Sequence, residues 1–197
     1  MKMQLSDAIK SLVRVFDDNS LVISIFGQIS EELYNLGDSE RYFYMRGGMG
    51  LASSMALGVS ITAPGKKVFA LDGDGSIIMN IGSLASIAHY NPKNFYHIII
   101  DNHVHGSIGG YNTFSAYTLN LAKAARGFGI ESVFETSEKD MLDKHLKAII
   151  KKDGPHIVVI ETEFAKSSGK GHATRMNYVK ERFMHSINSE NPNLPDI

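Results

Sequence analysis

The stretch LDGDGSIIMN, residues 71–80, places two aspartates among glycines directly after an apolar run. A second apolar run begins at Tyr96 and leads into an acidic–amide pair, whose amide member Asn102 follows Asp74 by 28 residues. Short apolar runs bounded by turn residues are typical of buried strands. Apolar residues at helical spacing predict a helix over about residues 79–90 between the two runs. The region therefore predicts a strand–helix–strand unit with polar side chains at both strand ends.

The two strand ends predict a shared binding site. A right-handed crossover places the carboxyl ends of its two parallel strands side by side, and ligands in such sheets bind just outside those ends. We therefore expect Asp74 and Asn102 to face one small volume. Both supply hard oxygen ligands, which suit Mg²⁺ completed by phosphate oxygens and water. Backbone N–H groups of Gly75 and Ser76 would stabilise a diphosphate there. The residue types alone leave open the alternative that GDG forms a simple tight turn.

Strands and helices alternate along the rest of the chain, which predicts an α/β fold with a parallel sheet and helices on both faces. The predicted strands are residues 21–26, 68–71, 96–100, 131–135 and 157–160, and the predicted helices are residues 6–17, 48–60, 79–90, 117–128 and a segment after Ser137. We expect one domain over residues 1–185 and a polar, proline-containing tail over residues 186–197.

The composition restricts the function classes. The 197 residues are 43% hydrophobic and 21% charged, as expected of an ordinary globular protein. A net charge of −1 gives no electrostatic reason to expect nucleic acid or a membrane surface as a partner. The absence of cysteine excludes disulfides, cysteine-ligated zinc and iron–sulfur clusters. No run is long and apolar enough for a membrane span, so we expect a cytoplasmic protein.

The GDG motif and the pair at residues 101–102 resemble the metal motif of the thiamine diphosphate-dependent enzymes. In that family GDG is followed, after some two dozen residues, by an asparagine pair; here 25 residues intervene and Asp101 replaces the first asparagine. We associate this replacement with the sulfopyruvate decarboxylase subgroup. The resemblance implies that Asp74 and Asn102 bind Mg²⁺ through their side chains and Val104 through its carbonyl oxygen, with the diphosphate of the cofactor bridging the metal.

A second motif resembles the same family. RGGMG at residues 46–50 is similar to the segment that holds the aminopyrimidine ring of the cofactor. The resemblance implies that the Gly47 carbonyl accepts a hydrogen bond from the amino group and that Met49 wedges the cofactor into its bent form. It also places Gly48 and Gly106 among the cofactor-binding residues. Without the GDG motif, Met49 would be read as an ordinary core methionine.

The resemblance covers about residues 8–185. Four segments, in order, are similar to the C-terminal half of phosphonopyruvate decarboxylases and to the β subunits of sulfopyruvate decarboxylases: FYMRGGMGLASSMALG, LDGDGSIIMNIGSLASIA, DNHVHGSIGG and VKERFM. This implies a thiamine diphosphate-dependent β subunit that converts a small 2-oxoacid to an aldehyde and CO₂. The family's glutamate, which binds the pyrimidine ring, would come from a separate α subunit. An acetolactate synthase-like carboligase subunit and a non-catalytic cofactor-binding subunit remain alternatives.

The histidine at position 105 is the candidate catalytic residue of this chain. It lies just beyond the predicted metal loop and could serve as a hydrogen-bond donor or proton shuttle, because imidazole exchanges protons near neutral pH. A solvated loop histidine is the alternative, and zinc binding with His103 is disfavoured. A substrate with a terminal sulfonate or phosphonate would need cationic or N–H donors, for which Arg46 and His105 are the candidates.

Overall fold

The computed structural model describes residues 3–164 and 175–188, and their apolar runs form a parallel sheet flanked by helices. The strands are β1 Ser20–Ser24, β2 Tyr42–Tyr44, β3 Lys67–Gly73, β4 Phe95–Asp101, β5 Val104–His105, β6 Tyr111–Asn112, β7 Ser132–Thr136 and β8 His156–Glu161. The helices are α1 Leu5–Val13, α2 Gln28–Leu36, α3 Ala52–Thr62, α4 Asp74–Met79, α5 Ser83–Tyr90, α6 Leu121–Gly127, α7 Lys139–Ile149 and α8 Met176–Asn188.

The main sheet has the strand order β2-β1-β3-β4-β8-β7, and all its strands are parallel. Every residue of β1 and β4 is buried. Because side chains alternate between the two faces of a strand, complete burial means that both faces of the sheet are covered. The predicted α/β class and two-sided helix arrangement are confirmed.

The strand order creates a crevice at one edge of the sheet. In the sheet β2 lies on one side of β1 and β3 lies on the other. The order in which strands are added therefore reverses direction between β1 and β3, which flank the switch point. Ligands bind at such switch points, outside the carboxyl ends of the strands. On the other side of β3, Gly73 pairs with Ile100, so Asp74 and Asp101 follow in register. The GDG motif and the pair at residues 101–102 therefore lie next to each other, as predicted.

The helix predicted over residues 79–90 is wrong in its extent. The structure has two helices, α4 and α5, and α4 already begins at Asp74. The break falls at Asn80, whose backbone leaves the helical region and whose side-chain amide donates to the Gly50 carbonyl and to Ser54. This contact joins segments far apart in the sequence, so helical spacing alone did not reveal it.

Two strand pairings were not predicted. The edge strand β2 has three residues and depends on pairing with β1. The antiparallel β5–β6 hairpin pairs Val104 with Asn112 and His105 with Tyr111, and is followed by a short 3₁₀ helix, Phe114–Ala116. Strands this short carry no periodic signal. The hairpin folds back over the loop after β4 and brings residues 113 and 115 close to Asp74.

The C-terminal helix α8 crosses the predicted domain boundary at residue 185 and ends at Asn188. Ser186 and Ile187 are buried, so these residues of the predicted tail belong to the packed domain. The remainder of that tail, residues 189–197, lies outside the described residues. Within the described ranges, no helix combines the length and apolar character needed to cross a membrane.

Candidate functional site

A cavity of about 120 Å³ opens at the carboxyl ends of β1, β3 and β4. Eight of the ten predicted site residues line it, and the exceptions are Gly47 and Gly48. Pockets that enclose a whole small ligand usually measure about 300–1,000 Å³, so this volume suits part of a cofactor. The lining residues are Leu5, Ile25, Phe26, Gly27, Gln28, Ile29, Met49, Gly73, Asp74, Gly75, Ser76, Ile100, Asn102, Val104, His105 and Gly106.

The carboxylate of Asp74 is buried at the first residue of α4. Its Oδ2 atom accepts hydrogen bonds from the hydroxyls of Thr113 (2.5 Å) and Ser115 (3.1 Å). A carboxylate removed from water is costly unless it is hydrogen-bonded or bound to a cation. The two hydroxyls supply part of the hydrogen bonding that the buried carboxylate needs. Asp74 also lines the cavity, where a cation could supply the rest.

The loop after β4 is ordered by its own polar side chains. Asn102 Oδ1 accepts a hydrogen bond from the Val104 N–H (3.0 Å), and Asp101 Oδ1 accepts from the His103 N–H (3.1 Å). His103 adopts a positive φ of 63°, which these turns accommodate. Asn102 and Val104 line the cavity beside Asp74. The three residues that line this part of the cavity carry a carboxylate, an amide oxygen and a backbone carbonyl, and oxygen donors of these kinds fit Mg²⁺ completed by phosphate and water.

Asp101 carries an unusual carboxyl group beside this loop. Burial and the neighbouring Asp74 carboxylate together raise the pKa of Asp101 to about 6, against the lowering effects of a hydrogen bond from Ser115 and of His103. On the other side, His103 Nδ1 lies 3.0 Å from Asp101 and its Nε2 lies 3.6 Å from Glu161. His103 is therefore held between two carboxylates, whereas His105 lines the cavity, and the two histidines have different surroundings.

The predicted pyrimidine segment is tied directly to α4. The Gly50 N–H donates to Ser76 Oγ (2.9 Å), and the Asn80 amide donates to the Gly50 carbonyl (2.9 Å). These two hydrogen bonds of Gly50 are called the Gly50 clamp below. Met49, the preceding residue, is half-buried and lines the cavity. Gly47 and Gly48 are exposed and lie outside the lining. The two motifs of the sequence thus form one connected site, with the glycines at its outer edge.

The imidazole of His105 packs against the start of α4. A Cβ atom added at Gly75 would overlap the His105 ring, so a glycine is required for this close approach. In the same way, a Cβ atom at Gly106 would overlap the ring of Phe164. His105 is half-buried and lies in the cavity wall. Arg46, the other candidate donor to an anionic substrate group, is exposed and lies outside the lining.

The family description "Thiamine pyrophosphate enzyme, C-terminal TPP binding domain" matches residues 27–160. The chain belongs to this family. The matched range of this TPP-binding domain contains all ten predicted site residues.

The similarity to individual proteins is consistent with this family. The sulfopyruvate decarboxylase subunit beta of Methanocaldococcus jannaschii is 38% identical over 92% of this chain and 95% of its own length. The phosphonopyruvate decarboxylase of Streptomyces viridochromogenes is 35% identical over 83% of this chain, which spans 41% of that protein. A crystal structure of a thiamin diphosphate-dependent enzyme from Mycobacterium smegmatis superposes with a TM-score of 0.72 at 23% identity, over 83% of this chain and 32% of that one, and supports the fold.

Two parts of the TPP-binding domain's site were missed by sequence reasoning. The turn after β1 contributes Phe26 to the lining together with residues 27–29, and Gly27 adopts φ +91° there. A glycine between a strand and a helix was a usable signal for this turn. Thr113 and Ser115, which bind Asp74, had no such signal, because hydroxyl residues are common in loops and the contact depends on the hairpin.

Proposed function

We propose that this chain is the β subunit of a thiamine diphosphate- and Mg²⁺-dependent 2-oxoacid decarboxylase of the sulfopyruvate or phosphonopyruvate type. The observation that carries the proposal is the convergence of Asp74, Asn102, Val104 and Met49 on one cavity at the switch point of a TPP-binding domain. The similarity to sulfopyruvate decarboxylase subunit beta over nearly the full length of both chains supports the subunit assignment.

The residues of the cavity fall into groups according to the part of the cofactor that they would bind. Asp74 and Asn102 would hold Mg²⁺ with the Val104 carbonyl, while Gly75, Ser76 and Gly106 would offer N–H groups to the diphosphate. Met49, with the backbone of residues 47–48, would support the aminopyrimidine end. When bound, thiamine diphosphate supplies an electron sink for the charge left on the substrate as CO₂ departs. The chain itself contributes binding, orientation and the exclusion of water.

His105 is the group proposed to handle a proton. Its ring lies in the cavity wall over Gly75, beside the residues proposed for the diphosphate. From this position the imidazole would donate a hydrogen bond to an anionic substrate group or deliver a proton to the product. Arg46 is exposed outside the lining, so His105 is the better supported of the two candidate donors.

An activity assay tests the proposal. The chain, purified together with its partner subunit, is assayed with sulfopyruvate, phosphonopyruvate and pyruvate, and the products are analysed. We expect CO₂ and an aldehyde from a substrate with an anionic terminal group. A preference for pyruvate would overturn the substrate class, and formation of acetolactate would indicate the carboligase alternative. Binding without turnover would indicate a non-catalytic subunit.

The metal assignment is tested in the same complex. Asp74→Ala removes the only carboxylate among the described lining residues, so the affinity for thiamine diphosphate in the presence of Mg²⁺ should fall by well over tenfold, on the order of 1.4 kcal/mol for each factor of ten. Calorimetric titration measures this change. Asp140→Ala, an exposed carboxylate on α7 outside the cavity lining, is the matched control and should bind as the wild type does. Unchanged affinity in Asp74→Ala would refute the assignment.

A further inference from the structure

Two hydroxyls of the segment after the β5–β6 hairpin hold the Asp74 carboxylate. Thr113 Oγ1 donates to Oδ2, the Ser115 hydroxyl shares its one proton between Oδ2 and the carboxyl group of Asp101, and Oδ1 of Asp74 takes part in none of these bonds. The Thr113 side chain belongs to a residue that is only 2% exposed. Hydrogen bonds to an ionised acceptor are the short and strong ones, and in a buried site they restrain the acceptor's orientation.

The same hydroxyls join Asp74 to the loop after β4. Ser115 Oγ lies 2.7 Å from Asp101 Oδ1 and 2.8 Å from Thr113 Oγ1. The backbone is fixed as well, because the Thr113 N–H donates to the His103 carbonyl at 2.9 Å. Two neighbouring buried carboxylates repel each other, and donors placed between them reduce that cost. The segment is therefore anchored on the residues that flank the cavity.

We propose that Thr113 and Ser115 are positioning residues for the Asp74 carboxylate as a ligand of a divalent cation. By binding Oδ2 they fix the rotation of the carboxylate, so that Oδ1 is available to the cation in a set orientation. The inference rests on the Mg²⁺ site of the proposed function. Hydrogen-bond partners of a metal-binding carboxylate commonly contribute a factor of about 10–100 to metal affinity.

Mg²⁺ is titrated into the complex of the full-length chain with its partner subunit at a fixed concentration of thiamine diphosphate, with calorimetric detection. Thr113→Val keeps the shape of the side chain but removes the hydroxyl, so the dissociation constant for Mg²⁺ should rise by roughly tenfold or more. Thr113→Ser keeps the hydroxyl and should retain the wild-type affinity. Thr118→Val, at an exposed threonine of the same segment, is the control and should change nothing.

A structural role alone would give a different result. If the hydroxyls only anchor the segment, Thr113→Val lowers the unfolding temperature but leaves Mg²⁺ affinity unchanged or tighter, and the inference is overturned. Should Thr113→Val not fold, Ser115→Ala at a half-buried position decides in the same way: weaker Mg²⁺ binding supports the inference and unchanged binding overturns it. Unchanged Mg²⁺ affinity in Asp74→Ala would refute instead the metal site on which the inference depends.

Discussion

Gly50 connects the RGGMG segment, residues 46–50, to the helix that begins in the GDG motif. Its N–H and carbonyl bind Ser76 and Asn80, and its φ of +87° lies in the left-handed region. A Cβ atom added there would lie 3.0 Å from Asn80 Cβ and 3.2 Å from the Ser76 carbonyl oxygen. Backbone conformation and close approach both require glycine at this position. Because Gly50 holds this segment against α4, it also fixes the position of Met49, the preceding residue, in the cavity wall.

Gly50→Ala should destabilise the protein. The left-handed conformation costs an L residue about 1–2 kcal/mol, and crowding against Asn80 and the Ser76 backbone adds about 1–3 kcal/mol. Urea unfolding should show a lower midpoint with an unchanged slope. Gly58→Ala is the matched control, because its added Cβ meets nothing within 4 Å inside α3 and alanine favours helices. A Gly50→Ala variant as stable as the wild type would contradict the role of the clamp.

At the scale of elements, the sequence predicted what depends on local pattern. Buried parallel strands appear as continuous apolar runs, so β3 and β4 and the polar residues at their ends were found. The break between α4 and α5 and the β5–β6 hairpin were not found. They depend on contacts of Asn80 with Gly50 and of Thr113 with Asp74, which are 30 and 39 residues apart. Such long-range hydrogen bonds leave no periodic trace in the sequence.

The helix α8 is held to the domain by an ion pair with a pH-dependent contribution. Arg182 donates two hydrogen bonds, at 2.6 and 2.7 Å, to Asp38, which follows α2, and Tyr44 donates a third. Burial would raise the pKa of Asp38, but the hydrogen bonds from Arg182 and Tyr44 outweigh it and hold the pKa below its usual value. The pair is therefore fully stabilising above the unfolded-state pKa of about 3.9, and its contribution is lost as the pH falls through the lower, folded-state pKa.

Asp38→Asn should lower the free energy of unfolding at pH 7 by about 1–3 kcal/mol, because it removes the charged partner of Arg182. The difference from the wild type should begin to narrow as the pH falls below about 4, where Asp38 of the unfolded chain takes up a proton, and should disappear once the pH is below the lower, folded-state pKa. Urea unfolding of both proteins across this pH range measures it. The control is Asp18→Asn, at a carboxylate whose side chain is 99% exposed beside Arg41 and which should not contribute measurably. A pH-independent difference would argue against the ion pair.

At the scale of the whole molecule, the cavity resembles half of a binding site. Its volume of about 120 Å³ suits only part of the cofactor, and Asp74 is the single carboxylate among its described lining residues. Glu31 and Glu32 lie on α2 and do not line it. The resemblance to thiamine diphosphate-dependent enzymes implies that a glutamate of a separate pyrimidine-binding domain binds the pyrimidine ring of the cofactor. The described residues of this chain place no such glutamate at the cavity.

We therefore expect the chain to be inactive alone and active with a pyrimidine-binding partner. The resemblance implies that activity requires a carboxylic acid at the pyrimidine end of the cofactor, and we expect the partner to supply it. Decarboxylation should be absent with the purified chain, appear when the partner is added, and be lost when the partner's pyrimidine-binding glutamate is changed to glutamine. Glu32→Gln in this chain, outside the cavity lining, should leave the activity of the complex intact. Robust turnover by the chain alone would refute the division of the site between two subunits.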